Sequence, residues 1–138
     1  MYWTQRPQSG DIVQCRFPEE VGVPGAKERP ALVLQVEEAA DDPAGYVVVV
    51  AYATSRRTSM LFPGEFAVEP SSKNGLVKLT KFDLINRRVL PYDAEWFAPA
   101  PGRSPESPRR GRLDLKDDTI KRRLQSALME AKRMPAFL

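Results

Sequence analysis

The sequence predicts a mainly β protein, a small and strongly bent antiparallel sheet or barrel followed by one helix. Two long β-branched runs, Arg29–Leu34 and Tyr46–Ser55, lie close together in the chain. Shorter alternating segments, separated by turns rich in glycine and proline, flank them and bring the expected strand count to between five and seven. Helical periodicity emerges only near residue 117. A chain of 138 residues fits one domain with an appendage.

Gly10–Phe17 reads as the first strand. Val13, Cys15 and Phe17 are apolar and alternate with Gln14 and Arg16, as a half-buried strand requires. In that pattern Cys15 is a small core residue rather than a nucleophile. Pro18–Glu28 is a loop containing Gly22, Pro24 and Gly25, long enough to be mobile and to close over a substrate. The second strand opens on Arg29-Pro30. Proline has no N–H to give a ladder and is tolerated at the first residue of a strand. The third run ends in two hydroxyl residues, Thr54 and Ser55, and a polar connection, Glu38–Gly45, joins it to the second.

Consecutive strands usually pair, so an antiparallel hairpin is expected. With Glu37 opposite Tyr46, opposed residue numbers sum to 83 and Arg29 falls opposite Thr54. A slip of one residue offers Ser55 instead. Directly opposed residues share a face, with Cβ atoms about 5 Å apart. A guanidinium and a hydroxyl therefore meet at one rim of the sheet. From this fragment alone Arg29 either marks where solvent begins or holds a phosphate.

Arg56–Gly64 is a loop, Glu65–Glu69 an outer strand and Ser71–Gly75 a turn. Gly75–Ile85 forms one long bent strand or two short ones, and Arg87–Pro91 leads to a closing segment near Trp96 and Phe97. The barrel thus occupies residues 1–97. Residues 98–112, rich in proline, are expected to be a linker. Residues 113–138 form a basic C-terminal helical segment, periodic over Asp117–Arg133. Ile120, Leu124, Leu128 and Ala131 make its apolar stripe, and Asp117, Asp118 or Thr119 caps its start. This helix either docks on the barrel or a partner, or serves as a basic arm on RNA phosphates.

Composition removes several functions. No run approaches the roughly 20 apolar residues of a membrane span, and Met1–Pro7 has no apolar signal core. One cysteine allows neither an internal disulfide nor a cysteine-based metal site, so a reducing, cytoplasmic setting is expected. The chain has no histidine, which excludes Ser-His-Asp and Cys-His arrangements, most zinc sites and a two-histidine ribonuclease mechanism. The net charge of +3 is split: residues 1–99 carry −2 and residues 100–138 carry +5. The barrel is thus no general polyanion binder. A nucleic acid would have to meet a local patch, helped by the basic tail.

With Gly10-Asp11-Ile12-Val13, then Arg29-Pro30-Ala31-Leu32-Val33-Leu34, then Thr54-Ser55, in this order and spacing, the chain resembles the PemK/MazF/Kid family over roughly residues 8–97. These are toxins of type II toxin–antitoxin systems. The resemblance implies an SH3-like β-barrel, usually a homodimer, that cleaves single-stranded RNA (often mRNA) at specific sequences without metal or cofactor. It also implies a cognate antitoxin that lays a disordered acidic segment across the RNA groove. The family's catalytic arginine falls on Arg29 and its hydroxyl partner on Thr54, with Ser55 beside it. Some members add a later acidic residue. Asp83 stands nearest, in a stretch that does not align cleanly.

In metal-free cleavage the 2′-hydroxyl attacks its own phosphate and leaves a 2′,3′-cyclic phosphate and a 5′-hydroxyl. Arg29 is expected to stabilise the phosphorane with its planar fork of donors and to offer a proton to the leaving oxygen, a demanding role for a group whose ordinary pKa exceeds ~12. Thr54 positions the phosphate or relays a proton. Glu28, Asp11 and solvent are all open as the base. Arg56, Arg57, Lys78, Lys81 and Arg87 are the expected RNA contacts, with Lys73 and Arg88 as further cations and Tyr52, Phe62 and Trp96 as stacking candidates. The rival reading is a non-catalytic module on the same barrel that binds a nucleic acid or a protein.

Overall fold

The computed structural model describes residues 1–41, 44–102 and 106–133. Six antiparallel strands form a single sheet: β1 (Asp11–Cys15), β2 (Arg29–Glu38), β3 (Tyr46–Thr54), β4 (Glu65–Val68), β5 (Thr80–Pro91) and β6 (Arg109–Arg112). One helix, α1 (Asp118–Arg133), follows. Strand order is β4-β5-β3-β2-β1-β6, so the two β-branched runs lie at the centre. The sheet curls into a half-barrel, consistent with the expected fold class.

The curl is produced by two irregularities. Near the hairpin turn, β2 and β3 pair one residue away from the expected register, with Glu37 opposite Val47. A bulge between Val33 and Gln35 absorbs that residue, and Leu32 then faces Ala51, the expected alignment. On the other side of β3, Ala51 pairs with Arg87 but Tyr52 pairs with Asp83, which leaves Leu84, Ile85 and Asn86 outside the ladder. The Asp83 carboxylate accepts the N–H groups of Ile85 and Asn86 at 3.0 and 3.4 Å and fixes the corner. The long bent strand expected here therefore exists, displaced to Thr80–Pro91.

Both faces of the sheet are covered. Ile12, Leu32, Ala51, Phe66, Phe82 and Leu84 pack on one face, with Leu113 and Ala127 from the C-terminal segments. Val13, Cys15, Val33, Val50, Tyr92 and Phe97 pack on the other. β1 is consequently buried at every residue rather than on alternate ones. Its Gln14 escapes the cost of burial by accepting a hydrogen bond from Arg110 Nη1 at 2.8 Å.

The segment expected as a linker contains a strand. Four prolines made it look like a spacer, but Pro108 stands at the entry to β6, and its carbonyl accepts the Gln14 N–H at 2.7 Å. A proline just before an edge strand costs the ladder nothing. Asp11, 2% exposed, binds β6 to β1. It accepts Arg112 Nε at 3.1 Å and the Gln8 N–H at 2.8 Å, with Arg109 Nε at 3.7 Å. Its candidacy as a catalytic base ends there, because it is locked inside this cluster.

β6 also reaches across to the turn before β5. Arg112 N–H donates to Lys73 O at 2.8 Å, and a Cβ on Gly111 would stand 2.3 Å from that oxygen. The helix docks beside β4. Asp117 Oδ1 caps it by accepting the Thr119 N–H at 2.9 Å. Its inward stripe is buried Ala127 with Ile120, Leu124 and Ala131 partly buried against the core. Leu128, expected in the stripe, stays 37% exposed because Ala127 takes the inward position. Gly75 closes the seam at φ +68°, and a Cβ there would lie 2.3 Å from Arg110 O. Gly75→Ala should therefore destabilise the fold by at least about 1–2 kcal/mol from the left-handed backbone alone, seen as a lower urea midpoint with an unchanged m-value.

Candidate active site

A cleft of about 490 Å³ opens where β2 begins and β3 ends. The loop from Glu19 to Glu28 forms one wall, Leu76–Lys78 another, and Arg110 of β6 reaches in from the side. Arg29, Thr54, Ser55, Arg56 and Lys78 all line it. The restored register explains why: Tyr52 and Thr54 alternate with the inward Ala53 and so share the face of Ala31 and Val33, which is also the face of Arg29.

Arg29 is held rather than free. Its Nη1 donates to Tyr52 Oη at 2.9 Å, and its guanidinium carbon lies 5.6 Å from the Tyr52 ring centre. Tyr52 in turn meets Phe17 edge-on at 5.2 Å, and Phe17 carries the Arg88 guanidinium 5.5 Å above its ring. This row fixes one side of the Arg29 fork and leaves the other toward the cleft, where Glu19 Oε1 stands 3.8 Å from Nη2. The partner that fixes Arg29 is thus Tyr52, which the sequence suggested only as a stacking group.

Thr54 Oγ1 accepts the Arg56 N–H at 3.1 Å. A hydroxyl that accepts in this way keeps its own proton to donate. Ser55 is exposed beside it, and Arg57 turns the chain at φ 52°. The lining residues include five cations, Lys27, Arg29, Arg56, Lys78 and Arg110, against Glu19 and Glu28. Glu28 is spoken for by Arg16 at 3.6 Å. Glu19 has its side chain 73% exposed and is the carboxylate nearest Arg29.

The other expected RNA contacts lie elsewhere. Arg57 and Arg87 are exposed but do not line this cleft. Lys81 is 5% exposed; its ammonium donates to Met60 O at 2.8 Å and Glu65 Oε1 at 3.0 Å, so it stabilises the loop before β4 instead of facing solvent. Asp83 caps the β5 corner, and Trp96 is core. Phe62 is 58% exposed outside the cleft.

Glu19, Lys27 and Arg110 were not singled out from the sequence. The first two sit in the loop before Arg29, where only proximity in the chain could have marked them. Arg110 lay in the supposed linker. Its Nε and Nη2 donate to Gly75 O at 3.2 and 2.9 Å, which ties the Leu76–Lys78 wall to β6. Burial pushes its pKa below the ordinary arginine value.

The chain matches the family model described as PemK-like, MazF-like toxin of type II toxin-antitoxin system over residues 8–94. No curated protein matches it. The matched span holds β1 through β5 and the residues Arg29, Tyr52, Thr54 and Ser55; β6 and α1 lie beyond it.

Cys15 takes no part in the cleft. Burial raises its pKa from the ordinary 9.0 to about 12, partly offset by Arg16. The thiol therefore stays protonated at pH 8, and its burial shields it from reagents. A disulfide reagent should leave the native chain unlabelled over a period that fully labels it in guanidinium chloride. Equal labelling rates would contradict a buried thiol.

Proposed function

The chain belongs to the PemK-like, MazF-like toxin family of type II toxin–antitoxin systems, and from that premise we propose that it is a metal-independent, sequence-specific endoribonuclease that cleaves single-stranded RNA. A family of this kind implies an antitoxin partner. The single observation that carries the catalytic reading is a guanidinium anchored on one side by Tyr52, in a cleft shared with the Thr54 and Ser55 hydroxyls.

In this reading the scissile phosphate lies against Arg29. The 2′-oxygen attacks phosphorus, its proton passes to the Glu19 carboxylate or to water, and a phosphorane forms. The bond to the 5′-oxygen then breaks, and that oxygen takes a proton from Arg29 or from water. The products are a 2′,3′-cyclic phosphate and a 5′-hydroxyl. Charge builds on the non-bridging oxygens, and the Arg29 fork answers it with no reorganisation, because Tyr52 already holds it. Thr54 donates its hydroxyl proton to a phosphate oxygen while the Arg56 N–H keeps its lone pair occupied. Ser55 supplies a second hydroxyl. Arg56 and Lys78 meet flanking phosphates or base edges. We place the active protein as a cytoplasmic homodimer whose antitoxin covers this cleft with an acidic segment; the excess of cations in the lining supports the acidic character of that segment. Among the described residues no helix is long and apolar enough to cross a membrane.

Removing one preorganised donor from such a site costs roughly 3–4 kcal/mol. Arg29→Ala should therefore lower RNA cleavage about a hundred- to a thousandfold, relieve growth arrest on induction and leave the melting temperature nearly unchanged. Tyr52→Phe, which keeps the ring and loses one hydrogen bond, should cost only roughly tenfold. A folded Arg29→Ala chain that still releases 5′-hydroxyl fragments at the parental rate would exclude this assignment, and a parental chain that binds RNA without producing such fragments would favour a pure binding module.

A further inference from the structure

On the far side of β6 from the cleft lies a second cavity, of about 590 Å³. Lys73, Arg109, Arg112 and Lys116 line it together with the Ser9 and Ser72 hydroxyls. Three of the four residues of β6 are arginines. Arg110 looks into the Arg29 cleft, while Arg109 and Arg112 look into the second cavity. One edge strand thus carries positive charge from one cavity to the next. Two carboxylates offset it in part: Asp11 pairs with Arg112 and Arg109, and Asp114 accepts from Lys73 Nζ at 3.2 Å, which holds its carboxyl below the usual range. Four cations at this cavity against two carboxylates leave an excess. Arg109 Nε makes no hydrogen bond, its nearest carboxylate oxygen being 3.7 Å away.

We propose that β6 and the cavity behind it form an RNA-backbone track that continues the cleft and binds phosphates flanking the cleaved one. This rests on the RNA-cleaving reading above and extends it to residues outside the family-matched span. Two features argue for a phosphodiester chain. The donors are guanidinium forks, ammonium groups and hydroxyls, the set that meets phosphate oxygens. They are also disposed along a strand whose Arg110 lines the cleft and whose Arg109 and Arg112 line the second cavity, so a single extended polyanion can occupy both. The charge split agrees: the balance of +5 in residues 100–138 is concentrated partly on this strand and the turn after it.

Lys73 and Lys116 test the track without disturbing the core. Both are exposed, and the Lys73–Asp114 pair is a surface one, of small weight in stability. The probe is a 2′-O-methyl oligonucleotide, which lacks the attacking hydroxyl and stays intact. One version has about 20 nucleotides and spans both cavities; the other has about six and fills the cleft. Binding is followed by anisotropy between 50 and 200 mM salt. For single strands each phosphate contact contributes about 0.7 to the slope of log K against log salt. Lys73→Gln/Lys116→Gln should lower the slope magnitude for the long probe by about 1.4 and leave the short probe unchanged, and Lys116→Gln alone should give about half that shift. Arg29→Ala should weaken both probes.

An unchanged long-probe slope in a folded double variant would overturn the track, and so would a loss shared equally by both probes. If the slope stays fixed while a polyglutamate peptide loses binding, the cavity belongs to an acidic protein segment and the proposal is wrong. The nuclease reading fails separately: a parental chain that shows the slope difference but yields no 5′-hydroxyl fragments keeps the track and loses the chemistry.

Discussion

The pairing of β2 with β3 is the constraint on which the cleft depends. Near the hairpin turn the two strands are offset by one residue from the alignment they adopt at the rim, and the bulge between Val33 and Gln35 reconciles the two. Side chains alternate with a period of two, so a one-residue slip exchanges the faces of a whole strand. Without the bulge, Leu32 would oppose Tyr52 rather than Ala51, and Arg29 would no longer share a face with Tyr52 and Thr54. The extra residue, Leu34, packs against the opposite core cluster, so the irregularity presents apolar surface to a core rather than to solvent.

Much of this was legible in the chain. The β-branched runs with their flanking turns specify central strands, and Arg29-Pro30 marks a strand entrance because proline there forfeits no ladder bond. The alignment at the rim was readable, although the route to it was not: a bulge depends on how the two cores fill, which no local pattern states. Strand β6 escaped detection because Pro99, Pro101, Pro105 and Pro108 outweigh the short Arg109–Arg112 run in any local reading. Its pairing is enforced from a distance by Asp11, about a hundred residues earlier. The same limit hid Arg110. Lys81 misled for a related reason: a lysine looks like surface until a carboxylate such as Glu65 is found beside it in space.

The cleft joins two kinds of order. Arg29 is fixed by an aromatic row that runs through Tyr52 and Phe17 into the second core cluster, so its position is set by packing. Thr54 closes β3 opposite Lys81, and Ser55 and Arg56 lie on the turn that follows, where the Thr54 hydroxyl accepts the Arg56 N–H in place of a ladder partner. A guanidinium anchored to the core thus shares the cleft with hydroxyls at a strand end and its turn, an arrangement that under the proposed nuclease reading would hold a phosphate firmly and still admit an RNA strand.

The matched family span ends at residue 94, yet Trp96, Phe97, Leu113 and Ala127, all buried, lie after it. The Gly75 and Gly111 contacts press the later segment backbone-to-backbone against the earlier one. The family-matched span and the packed core therefore have different boundaries. Shortening the chain to the matched span would expose hydrophobic surface on both sides of the sheet and take Arg110 out of the cleft lining, so the later segment shapes the cleft as well as the core.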